Sequence, residues 1–496
     1  MSCPYNKFAA LVFLGISCAS ADAMESYNDY GPIYFAPSEK VVTPHLPWAR
    51  PLAGGSLRVL FITNHKSTRE VIELAQRLDL DYAVFTTELK RVFALENLPV
   101  DHTRPKDYEA RLRALLDSEK QYDAIVVANL KWDILPLWSR EEIISRVRSG
   151  TGLVTLVEED DNEETLKRLY ATPFSGHFAD SLSPFPFSAL PEYVSQEAPV
   201  SAAKFLQSIA EPFRFHRGRV VRVTGIQPPI RQLITPSFAG DPLEINLLDY
   251  DYHLSLAIRL IRWAAQRTAP VRVRAPKETG WNLTGKYALH RESPPEVLFV
   301  LESDAATEVD VELVVRHREG DVLLTRSRSV NIDRGAQAIH FALDSVPAGL
   351  HFVDLWIRSQ DSKKVIDFGT LAVEVRAKTH LKNLSLTRDS FRKTERIEGA
   401  VRVIRPQGYE QLVVDLIDAY GRLTDTTSFT VKANPTGETD VEFHVRARAP
   451  HSIWQRVRVQ LLDGEQVLDR HSKAFTFSDF YAPDDVRYTL FATNGR

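Results

Sequence analysis

Chemically active residue types first occur together at His65-Lys66-Ser67. A histidine beside a serine could act as the base for a nucleophile. The alternative is that Ser67 caps a helix, because Ser-Thr-Arg-Glu at 67–70 has the spacing of a capping box. The Gly-x-Ser-x-Gly sequence that presents a nucleophilic serine on a sharp turn occurs nowhere in the chain. We therefore predict that Ser67 is a helix cap.

An acidic run, Glu-Glu-Asp-Asp-Asn-Glu-Glu, fills residues 158–164. Carboxylates at this density could hold a hard cation, but the spaced Asp, Gly and Glu of a calcium loop are missing. Acidic residues also suit the first turn of a helix. We predict a solvated helix start, no metal and no cofactor. If the chain is an enzyme, its candidate catalytic residues are His65, Asp133, Glu159, Asp160 and Asp161.

Four tryptophans could stack on sugar rings or pack in a core, and only their exposure separates the two roles. They are Trp132, Trp138, Trp281 and Trp356.

The loops that carry the candidate residues each follow an apolar run, and amphipathic segments separate these runs. Alternating strands and helices indicate a parallel sheet covered on both faces, where ligands bind beyond the carboxyl ends of the strands. The predicted strands are Arg58–Thr63, Tyr82–Thr86, Ala124–Ala128 and Leu153–Val157.

A strong amphipathic helix over Tyr250–Arg267 closes this region, and short alternating strands with polar turns follow it. The pattern recurs in two blocks. The predicted fold class is therefore multi-domain α/β plus all-β: a doubly wound, flavodoxin-like parallel-sheet domain followed by two β-sandwich domains.

The predicted domain order begins with a signal peptide and an extended lead-in rich in proline and glycine. The boundaries are 1–23 for the signal peptide, 24–55 for the lead-in, 56–268 for the α/β domain, 269–378 and 379–480 for the sandwiches, and 481–496 for a tail or the start of a missing domain.

Export is predicted from Lys7, the apolar run Phe8–Ile16 and the small residues that follow. That run is shorter than the about 20 residues that cross a bilayer, which favours a cleaved signal and a secreted or periplasmic protein of bacterial type. Lipid attachment at Cys18 is the alternative. Cys3 and Cys18 are the only cysteines, so the mature chain would have no thiol chemistry.

The 496 residues carry 25% charged side chains and a formal net charge of −4. No basic excess favours a nucleic-acid partner, and no other segment is long and apolar enough to span a membrane.

The order of elements resembles the class I glutamine amidotransferase-like fold, in the degenerate form that serves as the trimerisation domain of bacterial β-galactosidases. The resemblance covers about residues 56–268 and is carried by the runs 60–65, 125–129 and 143–157 and by the helix 252–265. Active amidotransferases need a cysteine at a tight turn after a strand, and this sequence has none there. The resemblance implies an amidotransferase-like fold and an assembly role without glutamine hydrolysis.

These observations predict a non-catalytic secreted scaffold related to carbohydrate-active enzymes. Its α/β domain would self-associate, giving a homo-oligomer, and its sandwiches would be spacers or would contact a carbohydrate. The alternatives are a glycan-processing hydrolase, or the N-terminal part of a larger glycoside hydrolase whose catalytic barrel is missing.

Overall fold

The structure is a computed structural model that describes residues 42, 45–64, 67–87, 105–158, 164–176, 178–190, 206, 208–224, 247–276, 286–291, 295–343, 346–447 and 452–478. The predicted signal peptide and the segment 481–496 lie outside these ranges. Within them, no helix is both long enough and apolar enough to cross a membrane.

The first sheet has six strands in the order β2-β1-β3-β4-β6-β5. The first five in this order are parallel neighbours, while β5 runs antiparallel to β6. The strands are β1 (Leu57–Asn64), β2 (Leu80–Thr87), β3 (Ala124–Lys131), β4 (Gly152–Glu158), β5 (Ala210–Phe215) and β6 (Gly218–Val223).

Side chains alternate across this sheet, so Leu60 and Ile62 face one core while Val59 and Phe61 face another. Helices α2 (Pro105–Leu115), α3 (Leu137–Ser149) and α4 (Glu164–Leu169) contribute to the first core. Helices α1 (Thr68–Arg77), α5 (Phe178–Leu182) and α6 (Leu247–Ala264) contribute to the second.

Helix α6 is buried along almost its whole circumference, including Tyr252, His253 and Ser255. The sheet covers one side, and the strands that follow in the chain cover the other. Tyr252 Oη donates to Asp354 Oδ2 at 3.3 Å, and Asp354 also accepts from Arg316 Nε at 3.0 Å and Thr370 Oγ1 at 2.8 Å. This buried polar cluster fixes the helix against the later strands.

Four more sheets are formed by the strands that follow the first sheet, and these four sheets form two pairs. The first sheet pair is β11-β10-β13-β14-β8 with β12-β9-β7. Its strands are β7 (Val271–Arg274), β8 (Lys286–His290), β9 (Glu296–Ser303), β10 (Thr307–His317), β11 (Val322–Ile332), β12 (Gly335–Ala342), β13 (Gly349–Ser359) and β14 (Val365–Arg376).

The second sheet pair is β15-β17-β20 with β16-β22-β21-β18-β19, packed around its own apolar core. Its strands are β15 (His380–Leu386), β16 (Ser390–Phe391), β17 (Ile397–Ile404), β18 (Gln411–Asp418), β19 (Leu423–Thr430), β20 (Glu438–Val445), β21 (Trp454–Asp463) and β22 (Gln466–Phe477).

The predicted fold class, with its doubly wound parallel α/β domain, is wrong. Strands hold 51% of the described residues and helices 19%. The first sheet is mixed, because β5 and β6 form an antiparallel hairpin at one edge of it. Its inner face also shares one continuous core, from Leu46 to Val375, with the first sheet pair. The domain boundaries stay predictions.

Gly152 explains part of the Ser-Gly-Thr-Gly sequence at 149–152. A Cβ atom on Gly152 would lie 2.3 Å from the backbone carbon and oxygen of Ala264, at the end of α6. Gly150, with φ 123°, ends helix α3 in a conformation that other residues rarely adopt. The two glycines allow the turn and the close packing of β4 against α6.

Candidate anion-binding site

Four of the five predicted catalytic residues, His65, Glu159, Asp160 and Asp161, lie outside the described residues. The fifth, Asp133, is exposed on a short 3₁₀ turn, Trp132–Ile134. The acid–base hypothesis therefore stays a prediction. Across the described ranges, no three His, Cys, Asp or Glu side chains are grouped to hold a metal ion.

Ser67 occupies the N-cap position of α1, yet its side chain makes no capping hydrogen bond. Its Oγ instead accepts from Nδ2 of Asn129 at 2.7 Å. Asn129 has φ 56°, a left-handed conformation that asparagine tolerates better than most residues. An amide cannot remove a proton from the hydroxyl, so this pair ties β3 to α1 without activating a nucleophile.

Two of the four candidate tryptophans offer no surface for stacking. Trp132 and Trp356 are buried, and Nε1 of Trp132 donates to Thr165 Oγ1 at 2.7 Å. Trp138 is half-buried beneath the guanidinium of Arg113, 4.0 Å from its ring centroid. Trp281 lies outside the described residues.

The most chemically distinctive cavity lies elsewhere, near the last turns of α6 and beside β7. It has a volume of about 300 Å³ and a lining dominated by guanidinium groups. We call it the arginine pocket, after the six arginines in its wall: Arg219, Arg259, Arg262, Arg267, Arg272 and Arg274.

Local geometry explains how these arginines meet. Arg259 and Arg262 are three residues apart on α6 and therefore share a helix face. Arg272 and Arg274 alternate with buried valines along β7, which directs both arginines to the same side of the strand. The junction of α6, β7 and the first sheet thus concentrates positive charge.

Four of the six guanidiniums have carboxylate partners. Arg262 Nη1 lies 3.0 Å from Asp367 Oδ1, whose Oδ2 accepts from the backbone N–H of Val273 at 2.9 Å. The other pairs are Arg267 with Asp123 at 3.5 Å, Arg272 with Asp304 at 2.7 Å and Arg274 with Glu302 at 3.0 Å.

Arg259 differs from these four. It is only 5% exposed, and among the described residues no carboxylate lies within ion-pair distance of it. Nη1 donates to the carbonyl oxygens of Ser181 at 3.2 Å and Ser183 at 3.5 Å. Its Nη2 is buried and has no hydrogen-bond partner in the described part of the chain. A buried donor without an acceptor is costly, so an acceptor beside this guanidinium would stabilise it.

The pKa of Arg259 also indicates that an anion beside it would be stabilising. Burial lowers the pKa of its guanidinium to about 10, and the positive charges of Arg262 and Arg274 add to the effect against the opposing influence of Asp367. The group still carries its charge at neutral pH. An anion beside it would restore the pKa and remove the repulsion.

Arg219 is the second guanidinium for which the described residues supply no carboxylate. It is half-buried, with its Cζ 5.0 Å from the ring centroid of Trp263 and 5.5 Å from that of Phe174. Burial, with a smaller effect from Arg214, lowers its pKa. Its Nη1 donates to the carbonyl of Trp263 at 3.3 Å.

Sequence reasoning missed this pocket because it searched the carboxyl ends of the strands. One signal was available: residues 259–274 contain five arginines and no acidic residue. The pattern could not reveal that Asp367, a hundred residues later, completes the wall.

No protein-family model matches the chain, and no curated protein matches it. Among solved structures, it is similar to red sea bream transglutaminase at 11% identity and a TM-score of 0.20, over 46% of this chain and 35% of that one. A glycosyl hydrolase family 2 member from Bacteroides cellulosilyticus DSM 14838 matches at 13% identity and a TM-score of 0.18, over 38% and 27%.

A third similar structure is a tetra-tandem repeat from the extending region of a large adhesion protein, at 14% identity and a TM-score of 0.17, over 42% of this chain and 49% of that one. In all three cases the match spans less than half of the other chain. Structural neighbours thus include glycosyl hydrolase family 2 members, at a similarity too low to assign a function.

Proposed function

We propose that the chain is a non-catalytic, exported scaffold and binding protein whose arginine pocket holds an anionic ligand. The observation that carries this proposal is the buried guanidinium of Arg259, which has no carboxylate partner among the described residues and belongs to a residue that lines the cavity. Arginine is well suited to this role because its planar guanidinium binds carboxylate and phosphate groups through paired hydrogen bonds.

A spacer role for the two sheet pairs is supported by the contact between them. Glu319 of the first pair lies 3.1 Å from Arg470 and 3.6 Å from Arg456 of the second. Ser472 also donates to Glu319, and Arg470 also pairs with Asp321. We call this group the Glu319 cluster. Such a cluster favours one relative orientation of the two sheet pairs.

Self-association and glycan contact are further parts of the proposal, as is the resemblance of residues 56–268 to an amidotransferase-like assembly domain. Light scattering on the purified mature chain tests the first part, because a strict monomer at all concentrations would exclude it. A glycan array tests the second, and binding to no glycan would remove the carbohydrate partner.

The hydrolase alternative depends on the acidic run. Replacing Glu159, Asp160 and Asp161 together by their amides should abolish turnover of any glycan that the protein hydrolyses. Unchanged turnover would exclude these residues as catalysts.

The anion-binding proposal is tested by thermal unfolding at constant ionic strength, with chloride replaced stepwise by sulfate or phosphate. The wild type should show a saturable rise in Tm, because a ligand that binds only the folded state stabilises it by about 2.7 kcal/mol at 100 times its Kd. Arg259→Met, which keeps the apolar stem, should lose the rise.

Arg402→Met is the matched control, because Arg402 is an exposed arginine of the second sheet pair that bonds Asp440. It should respond like the wild type. Equal rises in all three proteins would indicate a general salt effect, and no rise in any of them would contradict the proposal.

A further inference from the structure

The number of arginines without a described carboxylate partner in the arginine pocket indicates how much negative charge its ligand carries. Of its six guanidiniums, the four at 262, 267, 272 and 274 have carboxylate partners. Those of Arg219 and Arg259 have none among the described residues. Two uncompensated positive charges therefore face one cavity.

The two charges are held by different elements of the fold. Arg259 belongs to α6, where the ring of Phe368 and the carbonyl oxygens of Ser181 and Ser183 support it. Arg219 belongs to β6 and is supported by Trp263 and Phe174. Arg259 is buried and Arg219 is half-buried, so the first lies deeper than the second.

The cavity is larger than a single inorganic ion requires. Its volume of about 300 Å³ equals roughly ten times the 30 Å³ that one water occupies in the liquid, and it lies at the lower end of the range for small-molecule pockets. The aromatic rings of Trp263 and Phe174 add apolar wall beside the charges. A ligand that fills this space has a short apolar part as well as its charge.

We infer that the ligand is a small organic dianion whose two negative charges offset those of Arg259 and Arg219. A dicarboxylate and a phosphate monoester both have this chemistry, since a phosphate monoester is largely dianionic above its second pKa of about 6. The inference rests on the proposed anion-binding function and makes it more specific.

Titration calorimetry at pH 7.5 and constant ionic strength tests the inference with acetate, succinate and propyl phosphate as probes. The wild type should bind at least one of the two dianions about tenfold or more tightly than acetate. The dianion that binds more tightly shows whether the pocket prefers two carboxylates or one phosphate group.

Two variants separate the roles of the arginines. Arg219→Met should reduce the affinity for the dianion to the level of acetate while acetate binding stays unchanged, and Arg259→Met should abolish binding of all three probes. Far-ultraviolet circular dichroism confirms that each variant is folded, and Arg402→Met serves again as the control.

Different results would overturn the dianion inference and the proposed anion-binding function. If acetate binds as tightly as both dianions, or if Arg219→Met has no effect, the dianion inference is overturned while anion binding at Arg259 stands. If none of the probes binds the wild type, the proposed function itself is overturned.

Discussion

The Cζ atom of Arg259 lies 4.6 Å from the ring centroid of Phe368, which places a buried guanidinium of α6 on an aromatic face of β14. A cation above an aromatic ring gains part of the stabilisation that a carboxylate would give. The ring holds Arg259 in place and leaves Nη2 without a described acceptor. This contact joins α6 to the first sheet pair beside the arginine pocket, which Arg259 lines.

Replacing Arg259 and Arg262 separately should have opposite consequences for the protein without ligand. Arg259→Met removes a buried charge that lacks a counter-ion, so the free energy of unfolding should stay the same or rise by about 1 kcal/mol. Arg262→Met leaves the carboxylate of Asp367 buried with only a backbone partner, and should cost about 3 kcal/mol. Urea unfolding measures both. Equal losses in the two variants would show that Arg259 is an ordinary structural arginine.

Acid should destabilise the first sheet pair through two buried histidines. Burial lowers the pKa of His317 to about 3, with Arg470 adding repulsion, and burial beside His317 lowers that of His351 to about 3. Their unfolded pKa is near 6.5, so between these values the unfolded chain binds two more protons than the folded one. Stability from these groups is present above pH 6.5 and is lost as the pH falls.

Asp354 opposes part of this effect. Burial raises its pKa from 3.8 to about 6 despite the attraction of Arg316, so the folded state holds an extra proton there between these values. For these three groups the net difference is one proton, so together they should contribute a fall in stability of about 1.4 kcal/mol per pH unit from pH 6 to pH 4.

His351→Phe should lower the measured slope by about 1.4 kcal/mol per pH unit, because it removes one of the two histidines that take up protons on unfolding. Urea unfolding at pH 6, 5 and 4 provides the comparison. An unchanged slope in the variant would show that His351 does not contribute.

The Glu319 cluster should stabilise the contact between the sheet pairs more than an exposed ion pair does. Glu319 and Arg470 have side chains only 13% and 9% exposed. Glu319→Ala should cost about 2 kcal/mol, because it leaves two arginines without this partner. Glu438→Ala, which removes an exposed partner of Arg402, should cost less than about 0.5 kcal/mol. Similar costs would indicate that the cluster is solvated and weak.

Gly152→Ala should destabilise the packing of β4 against α6, because its Cβ would meet Ala264 backbone atoms at 2.3 Å. We expect a loss of about 3 kcal/mol, comparable with other overpacked sites. Gly421→Ala is the control: it has open space around it but φ 76°, so only backbone strain of about 1 kcal/mol applies. A loss no larger at Gly152 would contradict the close approach.

Local periodicity in the sequence predicted the positions of many strands and helices, but not which layers pack against them. The run Arg58–Thr63 lies within β1 at Leu57–Asn64, because a buried strand has a continuous apolar sequence. The segment Tyr250–Arg267 overlaps α6, but the predicted single apolar stripe understates its burial. Which layer covers the second side of that helix depends on strands a hundred residues away, and no local pattern carries that information.

The candidate site could also be predicted only in part from the sequence. Arg259, Arg262, Arg272 and Arg274 are recognisable in the sequence as a basic run, whereas their partners are not. Asp367 and Glu302 take three of these arginines as ion-pair partners only after β14 and β9 have paired with their neighbours. Only the folded structure therefore shows that Arg259 has no carboxylate partner among the described residues.

The most direct test of the account is a crystal structure of the wild type grown with selenate, an anion whose selenium can be located by anomalous scattering. We predict a selenium peak in the arginine pocket, with a selenate oxygen about 2.8 Å from the guanidinium of Arg259, and no such peak in Arg259→Met. An empty pocket in crystals that bind selenate elsewhere would contradict it.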